Sequence, residues 1–518
     1  MFDTIAPSTQ KTNLATYRDK VLGCWTGKNI GGTIGAPFEG KREINQVTFY
    51  TQELGGQPAP NDDLDLQLVW LLAAEENGVF RLNERILGEY WLTYITGPWN
   101  EYGVCKANIR NGLVPPLSGS CNNDRWKFSN GAWIRSEIWA CLFPGSPDEA
   151  AQFAYYDACC DHSGDGIYAE IFTASMESAA FVVSDIRELI KIGLSRIPAD
   201  SRIARSVKLA CELYDTGSDF LTAREAVVKD SEDLGWFQAP ANIGFVIIGL
   251  LYGEGDFGKS VCLATNCGDD TDCTAGTVGS ILGIILGRSG IPTKWIEPIG
   301  ESIQTCSIAT YRENRHASLP KTVGELTNSV VRLAIATQRE NPTLPEIADL
   351  PTAITADYLE KLHCAEAVSN RIWNRSPYEL AFDLPYGQFS VDYDKGPYVV
   401  PGERKKLTLK ISNIRFIEAV VSVKLVLPEG WRAQGAAECI FMARYSHMAI
   451  AQLTIIPGEF TGAYYYLPVE VRLFDRFNPI VVHLPLQRQG SVEYYPSVFC
   501  QDFFDASSRC KSRAQAAL

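Results

Sequence analysis

The chain has 518 residues, 46% hydrophobic and 21% charged, and carries a net charge of −14 from 47 basic and 61 acidic side chains. That length exceeds what one average core fills, so two or more domains of a globular protein are expected. The acidic balance argues against nucleic acid as a main partner, because phosphate binding needs a basic footprint.

The first residues, MFDTIAPSTQKTNLATYRDK, show no basic region followed by an apolar one, so no signal peptide is expected and a cytoplasmic protein is. The longest apolar runs, near 242–252 and 274–287, are too short to span a bilayer, so no membrane partner is expected. Fifteen cysteines without paired zinc-type spacing suit reduced thiols better than a disulfide framework.

From residue 15 to about 370 the pattern is helical. Apolar positions recur at helical spacing in 64–76, 131–143, 165–184, 202–215, 240–252, 274–287 and 325–338. Short Gly/Pro/Asn/Asp segments separate these runs. The first notable stretch is GCWTGKNIGGTIGAPFEG, residues 23–40. It lacks the spacing of a phosphate-binding loop, and no strand precedes it. Glu39 follows a tight turn at Gly35-Ala36-Pro37.

Next comes NDDLDLQLVWLLAAEE, in which Asn61, Asp62, Asp63 and Asp65 precede an apolar helical run. A second acidic knot, Asp269, Asp270 and Asp272, opens the stretch TNCGDDTDCTAGTVGSILGIILG at 265–287. Asp and Asn are preferred helix N-caps and complement the helix dipole. A cap needs one such residue, however, and each knot has more. Packed like charges repel, and burying them is costly unless cations sit among them. Hard divalent cations take oxygen ligands from Asp, Asn and Thr, so both knots read as metal-facing, with hydroxyls of Thr271 and Thr274 as further donors. Gly276, Gly279, Ser280, Gly283 and Gly287 give the following helix narrow faces for close packing. His162 lies near Cys159 and Cys160, but a cysteine–histidine nucleophile needs hydrogen-bond reach. His316, His363, His447 and His483 sit in no motif.

The segment 355–375 reads as a helix. After about Asp383 the period changes to two, in KKLTLKISNI, AVVSVKLVLPEGW, MAIAQLTIIPG and YYYLPVEVRLF. That predicts a small antiparallel β-sandwich at roughly 386–490. The expected division is a helical catalytic domain at 1–375, an Ig-like sandwich at 383–495, and a loosely held tail at 496–518.

Taken together, these stretches resemble the ADP-ribosylglycohydrolase family. Gly27 to Glu39 resembles its GxxxGxxxGAPxE motif, Asn61-Asp62-Asp63 its TDD motif, and Gly268 to Cys273 its GGDTDT motif. SNGAWIR, 129–135, looks like its GNGxxMR loop, and 157–181 like its xTHxxPxxxxAA segment, with His162 at the His. The resemblance implies a mainly α protein, an orthogonal all-α bundle around two Mg²⁺ ions, with Mn²⁺ or Ca²⁺ as alternatives. It implies hydrolysis of the glycosidic bond of an N- or O-linked ADP-ribosyl group or a related furanoside. Carried over by position, Asn61, Asp62, Asp63, Asp270, Asp272 and Cys273 face the metals. Glu39, Asp63 and Asp270 would be catalytic, and Asn130, Gly131 and His162 would bind substrate. Three positions depart from the motifs: Asn61 and Cys273 stand where the family has Thr, and Asp269 where it has Gly. Those departures, and the added C-terminal strands, keep two other readings open: a glycoside hydrolase acting on a non-nucleotide carbohydrate, and an inactive sugar- or nucleotide-binding protein.

Overall fold

The computed structural model describes the chain apart from residues 1–7, 99, 309–318, 366–367, 369–371, 374, 386, 415–417, 474–475 and 493–518. The expected tail at 496–518 and His316 therefore lie outside the described residues. The chain divides into two compact units. The first comprises Met1–Gly97, Trp126–Ala158 and His162–Asn374. The second comprises Pro98–Arg125, Cys159–Asp161 and Arg375–Leu518.

Among the described residues the first unit is mainly helical, with one two-stranded parallel pair, Lys11–Asn13 with Glu346–Ala348. The helices that build the site are, in chain order, α1 (Leu14–Gly35), α2 (Asp62–Asn77), α3 (Glu137–Leu142), α4 (Asp165–Ala180), α5 (Ala239–Tyr252) and α6 (Thr271–Leu286). Most of these match the helical spacing of the sequence within a few residues. The run 131–143 does not stay one helix. It is a 3₁₀ turn at Trp133–Arg135 followed by α3, and Ser136 between them donates its hydroxyl to the Trp133 carbonyl at 3.0 Å. A hydroxyl that competes for a helical carbonyl favours such a break. Within 355–375 a helix is described at Ala356–Lys361, capped by Thr355, and much of the rest of that segment lies outside the described residues.

The close fit of α1 and α6 sets the geometry of the unit. Gly23, Gly27, Gly31 and Gly35 form one stripe on α1 at a spacing of four residues, which keeps them on one face. A Cβ at these positions would lie 2.2 Å from Gly283 O, 1.9 Å from Gly279 O, 2.0 Å from Ala275 O and 2.2 Å from Thr271 O. The two backbones are thus in direct contact, and the helices run antiparallel. The glycines cost helix propensity, roughly 1 kcal/mol each. Close packing of two buried helices offsets that cost, since dense contact is where dispersion and apolar burial are largest.

The second unit contains two five-stranded sheets. Period-two burial is clear along them. Leu407, Leu409 and Ile411 face inward on one strand, Val421, Val423 and Leu425 on another, and Leu467, Val469 and Val471 on a third. These side chains form one apolar core together with Leu113, Leu117 and Cys121 from the 98–125 segment. The first sheet pairs only antiparallel. The second is mixed, because Tyr398–Val399 lies parallel to the Ile480–Arg488 strand. The antiparallel expectation fails there for a simple reason: alternation fixes which face a strand buries, and is silent on direction.

The backbone contact can be tested at one atom. Gly27→Ala should cost at least about 3 kcal/mol, above ordinary overpacking, because a carbonyl on the partner backbone cannot turn away. Gly324→Ala is the control, since its Cβ would meet nothing closer than Thr322 Oγ1 at 3.8 Å. That variant should gain roughly 0.5 kcal/mol in urea denaturation; equal effects from both would refute the contact.

Candidate metal and substrate site

Because α1 and α6 run antiparallel, the C-terminal end of α1 lies beside the N-terminal end of α6. Thr271 Oγ1 fastens the junction by donating to Gly35 O at 2.8 Å. Beyond the Ala36–Phe38 turn, Lys41 and Asp269 form an antiparallel bridge, with Gly40 N on Asp269 O at 3.0 Å and Asp269 N on Lys41 O at 2.9 Å. Glu39 is thereby carried to the acidic start of α6, on the solvent side.

The acidic residues then separate by partner. Asp65 is turned to a loop. Its Oδ2 accepts from the backbone of Cys306 at 2.7 Å and Ser307 at 2.6 Å, and from Ser307 Oγ at 3.1 Å. Asp269 is held by Arg42, whose Nε and Nη2 reach its carboxylate at 2.8 Å each. Its φ of +63° is a conformation that glycine adopts freely and Asp tolerates. The extra charge at this motif position is therefore neutralised by Arg42 and adds none to the metal-facing set. Thr271 and Thr274 likewise have their hydroxyl protons on backbone carbonyls, Gly35 O and Thr271 O.

What remains converges. Ligand atoms of Glu39, Asp270 and Asp272 lie within 4.8 Å of one another, and so do those of Asp63, Asp272 and Cys273. Asp272 belongs to both groups. Asp270 stands at the N-cap position of α6 without capping it. Instead its Oδ2 accepts from Asn130 Nδ2 at 2.7 Å, and its backbone N donates to Asn242 Oδ1 of α5 at 3.3 Å. Oδ1 of Asp270 and Oδ1 of Asp272 are buried with no hydrogen-bond partner. Buried polar atoms are nearly always satisfied, so two orphaned carboxylate oxygens side by side fit a cation. Asn61 behaves differently, as a true cap, with Oδ1 accepting from Asp63 N at 2.7 Å. Asp62 flanks it and belongs to neither group. A Cβ on Gly32 would lie 2.3 Å from Asn61 Nδ2, so glycine there makes room for the cap.

Burial and mutual repulsion raise these carboxyls. Asp272 is pushed up to about 6, first by burial and then by Asp63. Asp270 is raised by burial, then by Asp272 and Glu39. Glu39 is raised chiefly by the Asp272 carboxylate. All three shifts have the sign that a bound cation would reverse.

A residue that the motif reading passed over is Lys28. It is 1% exposed, and its ammonium lies 3.1 Å from Asp63 Oδ2 and 3.0 Å from Glu137 Oε1, and donates to Ile134 O at 2.6 Å. Burial opposes its charge, but Asp63 and Glu137 outweigh that and raise its pKa. Glu137 of α3 is in turn satisfied by Ser280 Oγ at 2.9 Å and Gln67 Nε2 at 2.8 Å. The signal in the sequence was a lone charge: after Lys20, Lys28 is the one charged residue of α1.

The expected substrate residues lie behind this set. Asn130 is buried between Asp270 and Trp133 Nε1, at 3.1 Å from the latter. Gly131 presents its carbonyl to Arg135. His162 is fully buried, just ahead of α4, with Nε2 3.1 Å from Ser129 Oγ. Asn130 thus holds Asp270 directly, whereas His162 is bonded to the neighbouring Ser129. The thiols of Cys159 and Cys160 are buried as well.

A protein-family model described as ADP-ribosylglycohydrolase matches residues 13–330. One similar solved structure, an "ADP-ribosylglycohydrolase-related protein complex", is 18% identical with a TM-score of 0.44, covering 62% of this chain and 100% of that one. No curated protein matches the chain.

The assignment of Asp269 to structure has a direct check. Arg42→Met strands a buried carboxylate and should cost about 1–3 kcal/mol. Adding Asp269→Gly removes the stranded charge and suits the positive φ, so the double variant should recover most of that loss. Chemical denaturation of the single and double variants measures it; no recovery would mean Asp269 belongs with the metal-facing acids.

Proposed function

This chain belongs to the ADP-ribosylglycohydrolase family, hydrolases of glycosyl bonds, and from that premise we propose that it hydrolyses an N- or O-linked ADP-ribosyl group or a related furanoside in a metal-dependent reaction. The observation that carries this reading is the meeting of Glu39, Asp270 and Asp272, two of them with orphaned buried oxygens, at an end open to solvent. Those three residues would hold the ion, Mg²⁺ by the resemblance; Asp63, Asp62, Asn61 and Cys273 complete the set carried over by position. A divalent ion bound there supplies charge that orients vicinal hydroxyls and lowers the pKa of water.

The chain's own groups do the rest. Glu39, the exposed member, is the carboxyl that stands on the solvent side, which suits it to take a proton from water or give one to the leaving group. Asp270 and Asp272 fix the position of the ion's charge through their unpaired oxygens. Asn130 keeps Asp270 in one orientation through its 2.7 Å hydrogen bond. No helix among the described residues is long and apolar enough to cross a membrane. No disulfide is formed among the cysteines of the described residues.

Two outcomes test the reading. Asp270→Asn preserves shape and helix-capping ability but removes a charge, so a capping role predicts near-silence. A catalytic role predicts a loss on the order of 10²-fold or more in kcat/KM, read on ADP-ribosyl-arginine, ADP-ribosyl-serine and aryl furanosides. Wild-type rates in the variant on whichever substrate turns over would remove Asp270 from the active site.

The second outcome concerns pH. A carboxyl raised from 3.8 to about 6, as for Asp272, contributes stability that is full below 3.8 and lost as pH rises through 6. Metal-free protein should therefore lose stability across that window. Saturating divalent ion at ~100 Kd should add about 2.7 kcal/mol at pH 7.5. Melting temperatures in EDTA and in Mg²⁺, Mn²⁺ and Ca²⁺ across pH 4–8 decide it; identical curves would count against a metal site.

A further inference from the structure

We propose that this protein holds one divalent cation, on Glu39, Asp270 and Asp272, and that the Lys28 ammonium occupies the electrostatic role of a second. The proposal rests on the metal reading above and deepens it. The two ligand groups share Asp272 but differ in what their other oxygens are doing. In the first group, Asp270 Oδ1 and Asp272 Oδ1 are buried and have no hydrogen-bond partner. In the second, Asp63 Oδ1 accepts from Cys273 Sγ at 3.4 Å, and Oδ2, which likewise has no hydrogen-bond partner, is ion-paired with Lys28 Nζ at 3.1 Å, a positive charge that no oxygen of the first group has beside it. A neutral thiol that donates a proton is a poor partner for a hard cation.

Lys28 is also fixed in place. An ammonium has three N–H groups. One donates to Ile134 O at 2.6 Å, and the charge is ion-paired with Asp63 Oδ2 at 3.1 Å and Glu137 Oε1 at 3.0 Å. Its methylene chain runs along Gly276 of α6, where a Cβ would lie 3.3 Å from Lys28 Cδ. The Cα of Lys28 cannot recede, because Gly27 and Gly31 on either side of it are in backbone contact with α6. A second divalent ion on Asp63 would have to sit beside this immobile positive charge in a water-poor site. Repulsion between like charges is strongest there. Lysine instead places one positive charge where a divalent ion would bring two, between the carboxylates of Asp63 and Glu137.

The experiment counts metal. Full-length protein is stripped with EDTA, dialysed against saturating Mn²⁺ alone, and the bound metal measured per chain by elemental analysis and by loss of the free Mn²⁺ paramagnetic resonance signal. One ion per wild-type chain is expected, and two would overturn the proposal. None would overturn the metal reading itself, so the two failures are distinguishable. Lys28→Met keeps the side-chain length and removes the charge, and should admit a second ion; a count still at one would take the excluding role from Lys28. Cys273→Thr retains Lys28 and restores an oxygen donor, which makes it informative even if the lysine variant does not fold. It should still bind one ion, and two would place the exclusion in the thiol instead.

Discussion

The backbone contact between α1 and α6 is the constraint on which the site depends. Four positions on α1 cannot carry a side chain without striking a carbonyl oxygen of α6. That contact sets the register of the two helices to within one residue, because any slide brings a side chain into the seam. Register in turn decides what stands opposite what at the open end. Glu39 comes to Asp270 and Asp272, Thr271 reaches the Gly35 carbonyl, and Lys28 is delivered to Asp63 and Glu137. A looser pair joined by leucines would pack as well in area but hold the carboxylates less exactly in place, and a site for a small ion tolerates only fractions of an ångström.

Charge is sorted by the same frame. Seven acidic side chains are drawn to this part of the unit: Glu39, Asp62, Asp63, Asp65, Asp269, Asp270 and Asp272. Those that do structural work are matched with donors. Asp65 receives backbone N–H groups, Asp269 receives Arg42, and Asp63 receives Lys28 and a thiol. Asp270 and Asp272 each keep an oxygen unmatched. Burying charge is costly unless it is paired, so the two unmatched oxygens are an unfavourable term that a bound cation would relieve. Stored repulsion of this kind is commoner at functional sites than in structural cores.

The notable departures from the family motifs take on meaning at this level. Asp269 in place of glycine looks, in one dimension, like a charge added to a metal site. In three dimensions its positive φ turns it toward Arg42, some 227 positions away in sequence. Cys273 in place of threonine matters more, since its thiol donates to Asp63 and helps, with Lys28, to engage both oxygens of that residue. Asn61 in place of threonine keeps the capping role.

How much was legible in the chain follows from the range of each interaction. Helical spacing placed α2, α5 and α6 within a few residues, because periodicity is local and reflects which face is buried. The acidic knots, and the glycines of 23–40 and 276–287, were visible as anomalies of composition, and the motif order tied them to one family. Strand alternation in the C-terminal part gave the inward residues but was silent on the direction of Tyr398–Val399. Which acid meets which partner lay beyond reach. Asp65 and Asp63 are two residues apart and alike in type, yet one clamps a loop near residue 306 and the other meets a lysine on α1. Sequence by itself determined most of the helical elements, the family and a pool of candidate ligands, since these depend on neighbours along the chain. Only the tertiary structure decided which carboxylates are left unpaired, because pairing is a matter of distance, and distance across the α1–α6 seam is set by backbone contact between residues some 240–260 positions apart.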